Sequence, residues 1–148
     1  MFDFIEKNEL KRMGNRSSNE DRVINNLKKI IVEYLTGKKI ELFEKFNLLN
    51  IEINLKEVFP SKYSLKVIKY LIENVKYGDT TSYSDVGKGI GSNAYRAIGS
   101  ILKNNPLPLI IPCHRVVRKN GEIGGYMGKF DDWQQNLKKF LIEMEHQN

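Results

Sequence analysis

The chain has 148 residues, of which 41% are hydrophobic and 28% are charged, and this balance is typical of a globular protein. One compact unit, or two small subdomains that share a core, is therefore expected. No apolar run approaches the roughly 18 residues of a membrane span, and the first residues lack the pattern of a secretory signal, so we expect no membrane partner.

The cysteine count restricts the chemistry and the compartment. A single cysteine, Cys113, excludes an internal disulfide. One cysteine with two histidines is a poor ligand set for zinc, so no metal site is expected, and the sequence carries no cofactor motif. We therefore expect a cytoplasmic protein, or a nuclear one if the cell has a nucleus.

The net charge of +6 is unevenly distributed along the chain. Residues 1–60 hold 11 basic against 10 acidic side chains, whereas residues 61–148 hold 13 against 8. The basic excess therefore lies in the part that carries Cys113. A positive field of this size favours a polyanionic partner such as nucleic acid.

The first 60 residues are predicted to form a small region of their own. Residues 1–18 are polar and predict irregular structure, and apolar side chains then recur at helical spacing from about Asn19 to Thr36, before a stop at Gly37. The recurring positions are Val23, Leu27, Ile30, Ile31 and Tyr34. The segment Ile51–Leu55 alternates with period two and predicts a short strand. Pro60 marks the boundary with a second domain over 61–148.

Three helices are predicted in the first part of this second domain. An apolar stripe formed by Leu65, Ile68, Leu71, Ile72 and Val75 predicts a helix that ends near Gly78. Ser82 is placed to cap a short helix over residues 83–88, although Gly87 and Gly89 weaken it. After a turn, Ser92 or Asn93 caps another helix that ends at Asn104-Asn105-Pro106. Two short helices joined by a glycine-containing turn are typical of a helix-turn-helix.

The remainder of the chain predicts a turn, a loop and a last helix. Arg118 to Gly121 forms the turn, and glycines surround Tyr126 in the loop. The last helix is predicted from about Trp133 to His146, with Leu137, Phe140, Leu141 and Met144 facing the core. The fold class predicted from these elements is α+β, with a small N-terminal region and a mainly helical C-terminal domain that contains the helix-turn-helix and the cysteine.

Cys113 is followed directly by His114, at the end of the apolar segment 105–111. Cysteine reacts as the thiolate, and a neighbouring base or cation raises the thiolate fraction. The alternative is a buried cysteine that acts as a small hydrophobic side chain. The pair taken alone does not decide between these two interpretations.

A series of motifs in order resembles the O6-alkylguanine-DNA alkyltransferase family. These are Tyr83, Arg96-Ala-Ile-Gly99, Asn105-Pro-Leu-Pro108, Pro112-Cys-His-Arg-Val-Val117, Gly124-Gly-Tyr126 and Leu141-Ile-Glu-Met-Glu145. The resemblance covers roughly residues 63–146. It implies direct DNA repair, in which an alkyl group moves irreversibly and once per molecule from O6-alkylguanine in duplex DNA to Cys113.

The resemblance also implies how DNA is bound. The helix-turn-helix enters the minor groove, the damaged guanine is flipped out of the stack, and Arg96 fills the gap. The alternatives for Arg96 are a phosphate contact and a solvated surface charge. The other residues expected at the DNA are Ser92, Ala94 and Ala97.

Catalytic roles follow from the same resemblance. His114 acts as a base through a water molecule and is oriented by Glu145; Glu143, about 200° round the helix, is the alternative carboxylate. Tyr83 donates a proton or a hydrogen bond to guanine N3, or else packs in the core. Asn105 holds the turn before the active-site segment.

The substrate pocket implied by the family has its own residues. The carbonyls of Cys113 and Val116 read the exocyclic amine of guanine, and the other expected pocket residues are Tyr126, Met127, Gly128 and Lys138. A solvated surface charge is the alternative for Lys138, and a salt-bridging support is the expected role of Arg115.

Three features depart from the family pattern. Met127 stands where the family usually has serine, about five extra residues surround Lys129–Trp133, and the N-terminal region is short and rich in helix. Two other functions stay open: a module that binds alkylated DNA without repairing it, and a Cys-His-Glu hydrolase. A monomer is expected.

Overall fold

A computed structural model describes residues 18–129 and 131–147. The chain divides into two compact units between Glu33 and Tyr34. Helix α1, Ser18–Leu35, supplies the described part of the first unit and runs through this division. The helix predicted over Asn19 to Thr36 is therefore confirmed, and the expectation for residues 1–18 lies outside the described residues except at Ser18.

The second unit is mainly helical. Its elements, in chain order, are α2 (Leu42–Leu48), α3 (Leu55–Val58), α4 (Lys62–Asn74), β1 (Thr81–Ser82), α5 (Tyr83–Gly89), α6 (Tyr95–Lys103), a 3₁₀ helix (Cys113–Arg115), β2 (Val116–Val117) and α7 (Asp132–His146). The α+β class is confirmed. No helix within the described residues is both long enough and apolar enough to cross a membrane. The domain boundary at Pro60 stays a prediction.

The two strands form a parallel pair that brings distant parts of the chain together. Thr81 lies opposite Val116, and Ser82 lies opposite Val117. β1 leads directly into α5, whose N-terminus is capped by the Ser82 hydroxyl, and β2 directly follows the 3₁₀ helix that contains Cys113. The start of α5 is therefore fixed beside the segment that carries the thiol.

The strand predicted over Ile51–Leu55 is wrong. Alternate side chains in this segment are partly buried, as a strand would have them, but residues 51–54 form no regular element and α3 begins at Leu55. The Asn54 side chain accepts from the Glu57 backbone amide at 3.4 Å, which is an N-cap. Local capping therefore overrides the alternating pattern.

The turn between α5 and α6 depends on two glycines. Gly91 has a φ of 67°, a region that side-chain-bearing residues rarely adopt. The Ser92 amide donates to the Gly87 carbonyl at 2.8 Å and closes the turn. The cap predicted at Ser92 or Asn93 is placed too early, because α6 begins at Tyr95; the Ser92 hydroxyl instead accepts from the Ala94 amide.

The last helix is confirmed, with one of its predicted core residues wrong. Leu141 and Met144 are buried as expected, but Phe140 is 52% exposed. Lys138 and Glu145 are buried in its place, with 1% and 3% of their surfaces exposed. The inward face of α7 therefore carries two charged side chains, three and four residues on either side of Leu141.

We predict that Gly87→Ala destabilises the protein although alanine favours helix. A Cβ atom at Gly87 would lie 2.6 Å from both the Ser92 carbonyl oxygen and the Tyr95 ring, so the turn would have to shift. Such overpacking costs about 1–3 kcal/mol, more than the ~1 kcal/mol that helix propensity contributes. Urea denaturation followed by circular dichroism measures the loss.

Gly99→Ala is the matched control in α6. A Cβ atom there would lie 3.8 Å from the Tyr83 ring, an ordinary contact, so its free energy of unfolding should be equal to or up to about 1 kcal/mol above that of the wild type. Equal stabilities of the two alanine variants would contradict this account of Gly87.

Candidate active site

Cys113 begins the 3₁₀ helix and is 5% exposed. Its amide donates to the Ile111 carbonyl at 2.7 Å. The approach segment turns at Leu109, which has a φ of 70°, and Ile111 is fully buried. The segment 105–111 therefore carries the thiol into the interior.

Asn105 links the turn in segment 105–111 to the Cys113 sulfur. Its side-chain oxygen accepts from the Leu107 amide at 3.0 Å, which fixes the turn. Its side-chain amide donates to Cys113 Sγ at 3.2 Å. The turn-holding interaction expected of Asn105 is thus accompanied by a direct contact with the thiol.

A cavity of about 280 Å³ opens at Cys113. Its walls come from α5, α6 and the glycine loop, and the residues that form them are Tyr83, Gly99, Ser100, Leu102, Lys103, Cys113, Gly125, Tyr126, Met127 and Gly128. Among the expected site residues, His114, Glu145, Asn105, Val116 and Lys138 are not in this wall. The volume is close to the lower end of small-molecule sites, about 300 Å³.

The tyrosines of the cavity keep their protons. Burial, and then the nearby Cys113 sulfur, raise the pKa of Tyr83 and of Tyr126. Both phenols are therefore hydrogen-bond donors across the physiological range. Tyr83 is half-buried and borders the same cavity as the thiol, so it is placed to donate to a group bound there.

The environment of the thiol contains opposing influences. Burial raises the pKa of the Cys113 thiol above its ordinary value. The hydrogen bond from Asn105 and the positive charge of Lys138 act in the opposite direction. The resting group is therefore a protonated thiol, and its deprotonation depends on the polar groups around it.

Lys138 is a buried cation rather than a solvated one. Its ammonium donates to the Val116 carbonyl at 2.6 Å and to the Gly125 carbonyl at 3.4 Å. Burial lowers its pKa to about 8, while Cys113 acts to raise it. The carbonyl of Val116 is thus already engaged by Lys138, although a carbonyl oxygen has a second lone pair.

His114 and Glu145 meet as the resemblance implies. His114 is fully buried, and its Nε2 lies 3.1 Å from Glu145 Oε1. Burial lowers the pKa of His114, so the imidazole is neutral at neutral pH. Because Nε2 faces a carboxylate, it carries the proton, and Nδ1 is left unprotonated; no described residue bonds Nδ1. Glu143 is exposed and lies 3.7 Å from Lys139.

Arg115 holds the Glu145 carboxylate in place. It donates to Glu145 Oε2 from Nε at 2.8 Å and to Oε1 from Nη2 at 2.9 Å. Its Nη1 donates to Glu41 and to the Val75 carbonyl, each at 2.9 Å. Burial acts to raise the pKa of Glu145, but the hydrogen bonds from His114 and Arg115 outweigh it and lower that pKa to about 2.

Two residues that contact this cluster were missed by sequence reasoning. Glu41 pairs with Arg115, and the Tyr34 hydroxyl bonds Glu145. Sequence reasoning placed Tyr34 only among the apolar positions of the first predicted helix. Glu41 had no signal, because one acidic side chain in a charged stretch has no distinguishing pattern.

The residues expected at DNA lie in the turn before α6 and in its first turn. Arg96 and Ala94 are exposed, and Ala97 and Ser92 are half-buried. Alanine side chains leave the backbone open to close approach by a partner, and Arg96 adds a positive charge between them. Ser92 also bonds the Tyr63 hydroxyl at 2.9 Å, so it supports the turn before α6.

Residues 63–147 match the family model described as 6-O-methylguanine DNA methyltransferase, DNA binding domain. The matched range covers more than half of the chain and contains every site residue expected from the sequence, from Tyr83 to Glu145. The chain belongs to the O6-methylguanine DNA methyltransferase family.

Curated relatives of this family are archaeal, bacterial and mammalian. A methylated-DNA–protein-cysteine methyltransferase of Methanocaldococcus vulcanius is 41% identical over 99 residues, which are 67% of this chain and 53% of that protein. The corresponding protein of Methanocaldococcus jannaschii is 35% identical over 134 residues, which are 80% of this chain and 76% of that protein. The chain thus spans about half of the first relative's length.

Two solved structures have the same fold. The O6-methylguanine-DNA methyltransferase of Pyrococcus kodakaraensis KOD1 aligns with a TM-score of 0.61 at 32% identity, over 79% of this chain and 61% of that one. The Mycobacterium tuberculosis OGT in complex with DNA aligns with a TM-score of 0.53 at 35% identity, over 59% of this chain and 51% of that one.

Met127 lies in the glycine loop, at the position where the sequence resemblance predicts a serine. Met127 adopts a φ of 49°, is 48% exposed and lies in the cavity wall. Gly128 follows with a φ of 75°, and a Cβ atom there would lie 2.6 Å from the Lys103 side chain. The thioether therefore borders the cavity mouth. The extra residues expected around Lys129–Trp133 include Phe130, which lies outside the described residues.

We predict that Lys138→Gln slows alkylation of Cys113 by iodoacetamide roughly tenfold at pH 7, the effect of one unit in the thiol pKa. Glutamine retains a donor for the Val116 carbonyl but removes the charge that favours the thiolate. Because the lysine loses its own charge above pH 8, the ratio of wild-type to variant rates should decline towards one above that pH. Intact mass against time measures the rate, since the chain has one cysteine.

Lys139→Gln is the control for this prediction. Lys139 is the adjacent lysine, is exposed and pairs with Glu143 on the surface. Its loss should leave the alkylation rate unchanged at every pH, and a ratio for Lys138→Gln that does not vary with pH would refute the electrostatic role of Lys138.

Proposed function

We propose that this protein repairs DNA directly, by transferring the alkyl group of O6-alkylguanine in duplex DNA to Cys113. The observation that carries the proposal is the position of the lone thiol. It opens on a cavity lined by Tyr83 and the glycine loop. His114, which follows it in the same 3₁₀ helix, is buried and paired with Glu145 of α7. The curated relatives bear the name of a methyltransferase that acts on methylated DNA through a protein cysteine, which supports the same assignment.

The transfer is a displacement at the alkyl carbon. The Cys113 sulfur forms a bond to carbon as the bond from carbon to guanine O6 breaks. His114, neutral at neutral pH, takes the thiol proton at Nδ1 through a water molecule, and Glu145 stabilises the resulting imidazolium. Tyr83 donates to guanine N3 and offsets the negative charge that develops on the leaving base.

The base must leave the stack before the sulfur can reach it. The cavity wall is formed in part by α6, whose exposed side carries Arg96 between Ala94 and Ala97. We propose that this side enters the minor groove and that Arg96 occupies the space left by the extruded guanine. Unstacking costs a few kcal/mol, and an inserted guanidinium offsets part of that cost.

The product explains why one molecule repairs one lesion. The thioether on Cys113 has no sulfur–sulfur bond, so thiol exchange cannot release the alkyl group. We propose a stoichiometric reagent that acts as a monomer. A reducing compartment, cytoplasmic or nuclear, keeps such a thiol available for reaction.

The first test uses a duplex with one O6-methylguanine, mixed with equimolar protein and analysed by intact mass. We expect a gain of one methyl group per protein molecule, located on Cys113 by peptide mapping, and a second equivalent of duplex to remain methylated. An identical duplex with guanine is the control.

Cys113→Ser separates transfer from binding and from hydrolysis. Loss of the methyl gain with unchanged DNA affinity is expected, because serine keeps the size of the side chain but is a far weaker nucleophile near neutral pH. A methyl gain that persists in the serine variant would exclude Cys113 as the acceptor. If the wild-type protein continued to consume lesions in excess over its own amount, it would be a hydrolase.

We further predict that Arg96→Ala slows transfer from the duplex by about 10- to 100-fold and leaves transfer from free O6-benzylguanine unchanged. The free base needs no extrusion, so only the duplex reaction depends on the inserted side chain. Rates come from single-turnover mass measurements at saturating protein.

Lys66→Ala removes an exposed positive charge on α4 and serves as the control for charge alone. Its effect should be confined to a small loss of DNA affinity. If Arg96→Ala slowed both reactions equally, or behaved as Lys66→Ala does, the insertion role would be wrong.

A further inference from the structure

The hydroxyl of Tyr34 lies in the middle of the buried catalytic cluster. Tyr34 is near the end of α1 and is fully buried. Its hydroxyl donates to Glu145 Oε1, and the same oxygen lies 3.2 Å from His114 Nε2. Its ring packs edge-on against Tyr77, with ring centres 6.0 Å apart and planes at 88°. The residue therefore touches both members of the His114–Glu145 pair.

The protons in this contact can be assigned. Burial and the adjacent Glu145 carboxylate raise the pKa of Tyr34 well above its ordinary range, so the phenol keeps its proton. That proton is directed to Glu145 Oε1, since an ionised carboxylate accepts only. The lone pairs of the Tyr34 oxygen are then the part of the hydroxyl that can face His114 Nε2.

Two oxygen acceptors therefore converge on one imidazole nitrogen. With the proton on Nε2, His114 donates to Glu145 Oε1 at 3.1 Å and towards the Tyr34 oxygen at 3.2 Å. With the proton on Nδ1, the Nε2 lone pair would face the Glu145 oxygen and could accept only from the Tyr34 hydroxyl, which would then give up its bond to Glu145. The geometry thus disfavours the Nδ1–H tautomer, in which Nδ1 already carries a proton and cannot accept the one from the thiol.

We infer that Tyr34 is a positioning residue of this site, whose hydroxyl holds His114 in the Nε2–H tautomer and leaves Nδ1 unprotonated for the Cys113 proton. The tautomer assignment stands on the contacts alone; its consequence for alkyl transfer rests on the function proposed above. Tyr34 touches neither the cavity nor the thiol, so it acts through His114.

Loss of the hydroxyl should also change the basicity of His114. The groups that act on this imidazole are Glu145, which raises its pKa, and Arg115 and Lys138, which lower it, besides the burial that lowers it most. The Tyr34 hydroxyl occupies Glu145 Oε1 and reduces the negative charge that His114 experiences. Without it, the carboxylate stabilises the imidazolium more strongly, and the His114 pKa rises.

Tyr34→Phe isolates this role from packing. Phenylalanine keeps the ring and its edge contact with Tyr77 and removes only the hydroxyl. Tyr77→Phe is the matched control: Tyr77 is equally buried in the same cluster, and its hydroxyl donates to the Gly37 carbonyl at 3.0 Å rather than to the histidine or the carboxylate.

The measurement is the long-range ¹H–¹⁵N spectrum of protein labelled at histidine nitrogens, recorded from pH 5 to 8.5. The chain has two histidines, and the exposed His146 serves as the internal reference. In the wild type at pH 7, His114 should show the Nε2–H pattern. Because Glu145 still faces Nε2, the Nε2–H form should remain the major one in Tyr34→Phe, but with a larger share of the Nδ1–H tautomer than in the wild type and a raised His114 pKa, whereas Tyr77→Phe should match the wild type.

The rate of methyl transfer against pH is the second readout. With a raised pKa, His114 stays protonated, and so cannot act as a base, up to a higher pH. The acidic limb of the rate profile should therefore move to higher pH in Tyr34→Phe. We expect a rate roughly tenfold lower at pH 6.5, a fraction of the about 10²- to 10⁴-fold that a general base contributes.

Each outcome has a definite meaning. A wild-type His114 protonated at Nδ1 would overturn the inference without any variant, even if Tyr34→Phe failed to fold. Identical tautomers and pKa values in wild type and Tyr34→Phe, or equal changes in Tyr77→Phe, would also overturn it. If the spectra change as expected but the wild type takes no methyl group, the inference about the tautomer holds and the proposed function fails.

Discussion

The carboxylate of Glu145 is the group on which the arrangement of this site depends. It is buried, and its two oxygens accept from Tyr34, His114, Arg115 and the Gly78 amide. These donors come from the end of α1, the loop after α4 and the 3₁₀ helix. An uncompensated buried charge costs several kcal/mol, and removing one partner of a buried pair typically costs about 3–5 kcal/mol. These three parts of the chain must therefore pack together for the Glu145 charge to be compensated, and the same packing assembles the site.

His114 and Cys113 are both neutral at rest mainly because they are buried. Burial lowers the pKa of His114 most, and the positive charge of Arg115 lowers it further, so the imidazole beside Glu145 is not an imidazolium. Burial raises the pKa of the Cys113 thiol in turn, and Asn105 and Lys138 limit that rise. A buried, protonated thiol of this kind reacts slowly with small electrophiles in solution. In the proposed reaction its proton moves to His114 through a water molecule once a substrate occupies the cavity.

Sequence periodicity correctly predicted the helices whose buried face consists mainly of apolar side chains. The stripe of α4 is buried at Ile68, Leu71 and Val75, as its spacing indicated. The same reasoning was wrong at Phe140 of α7, and it left Lys138 open between a pocket residue and a solvated surface charge. A buried lysine becomes favourable only when carbonyls from other segments accept its protons, and those carbonyls, at Val116 and Gly125, are set by the tertiary fold. The strand prediction for residues 51–55 failed for a different reason: the side chains alternate in burial, but no strand among the described residues pairs with this segment.

Motif similarity pointed to the residues of the cavity and to the His114–Glu145 pair, but it could not identify the residues that hold them in place. In the sequence, Tyr34 is one more large side chain on an amphipathic helix, and its two polar partners occur 80 and 111 residues later. Glu41 is likewise defined only by its contact with Arg115. Both residues precede the range 63–147 that matches the family model. A chain that began at residue 63 would keep every motif residue, yet Arg115 would lose one of its two carboxylates and Glu145 would lose the phenol. The site is thus a property of the unit that begins at Tyr34, because the buried charges of the matched range need partners from outside it.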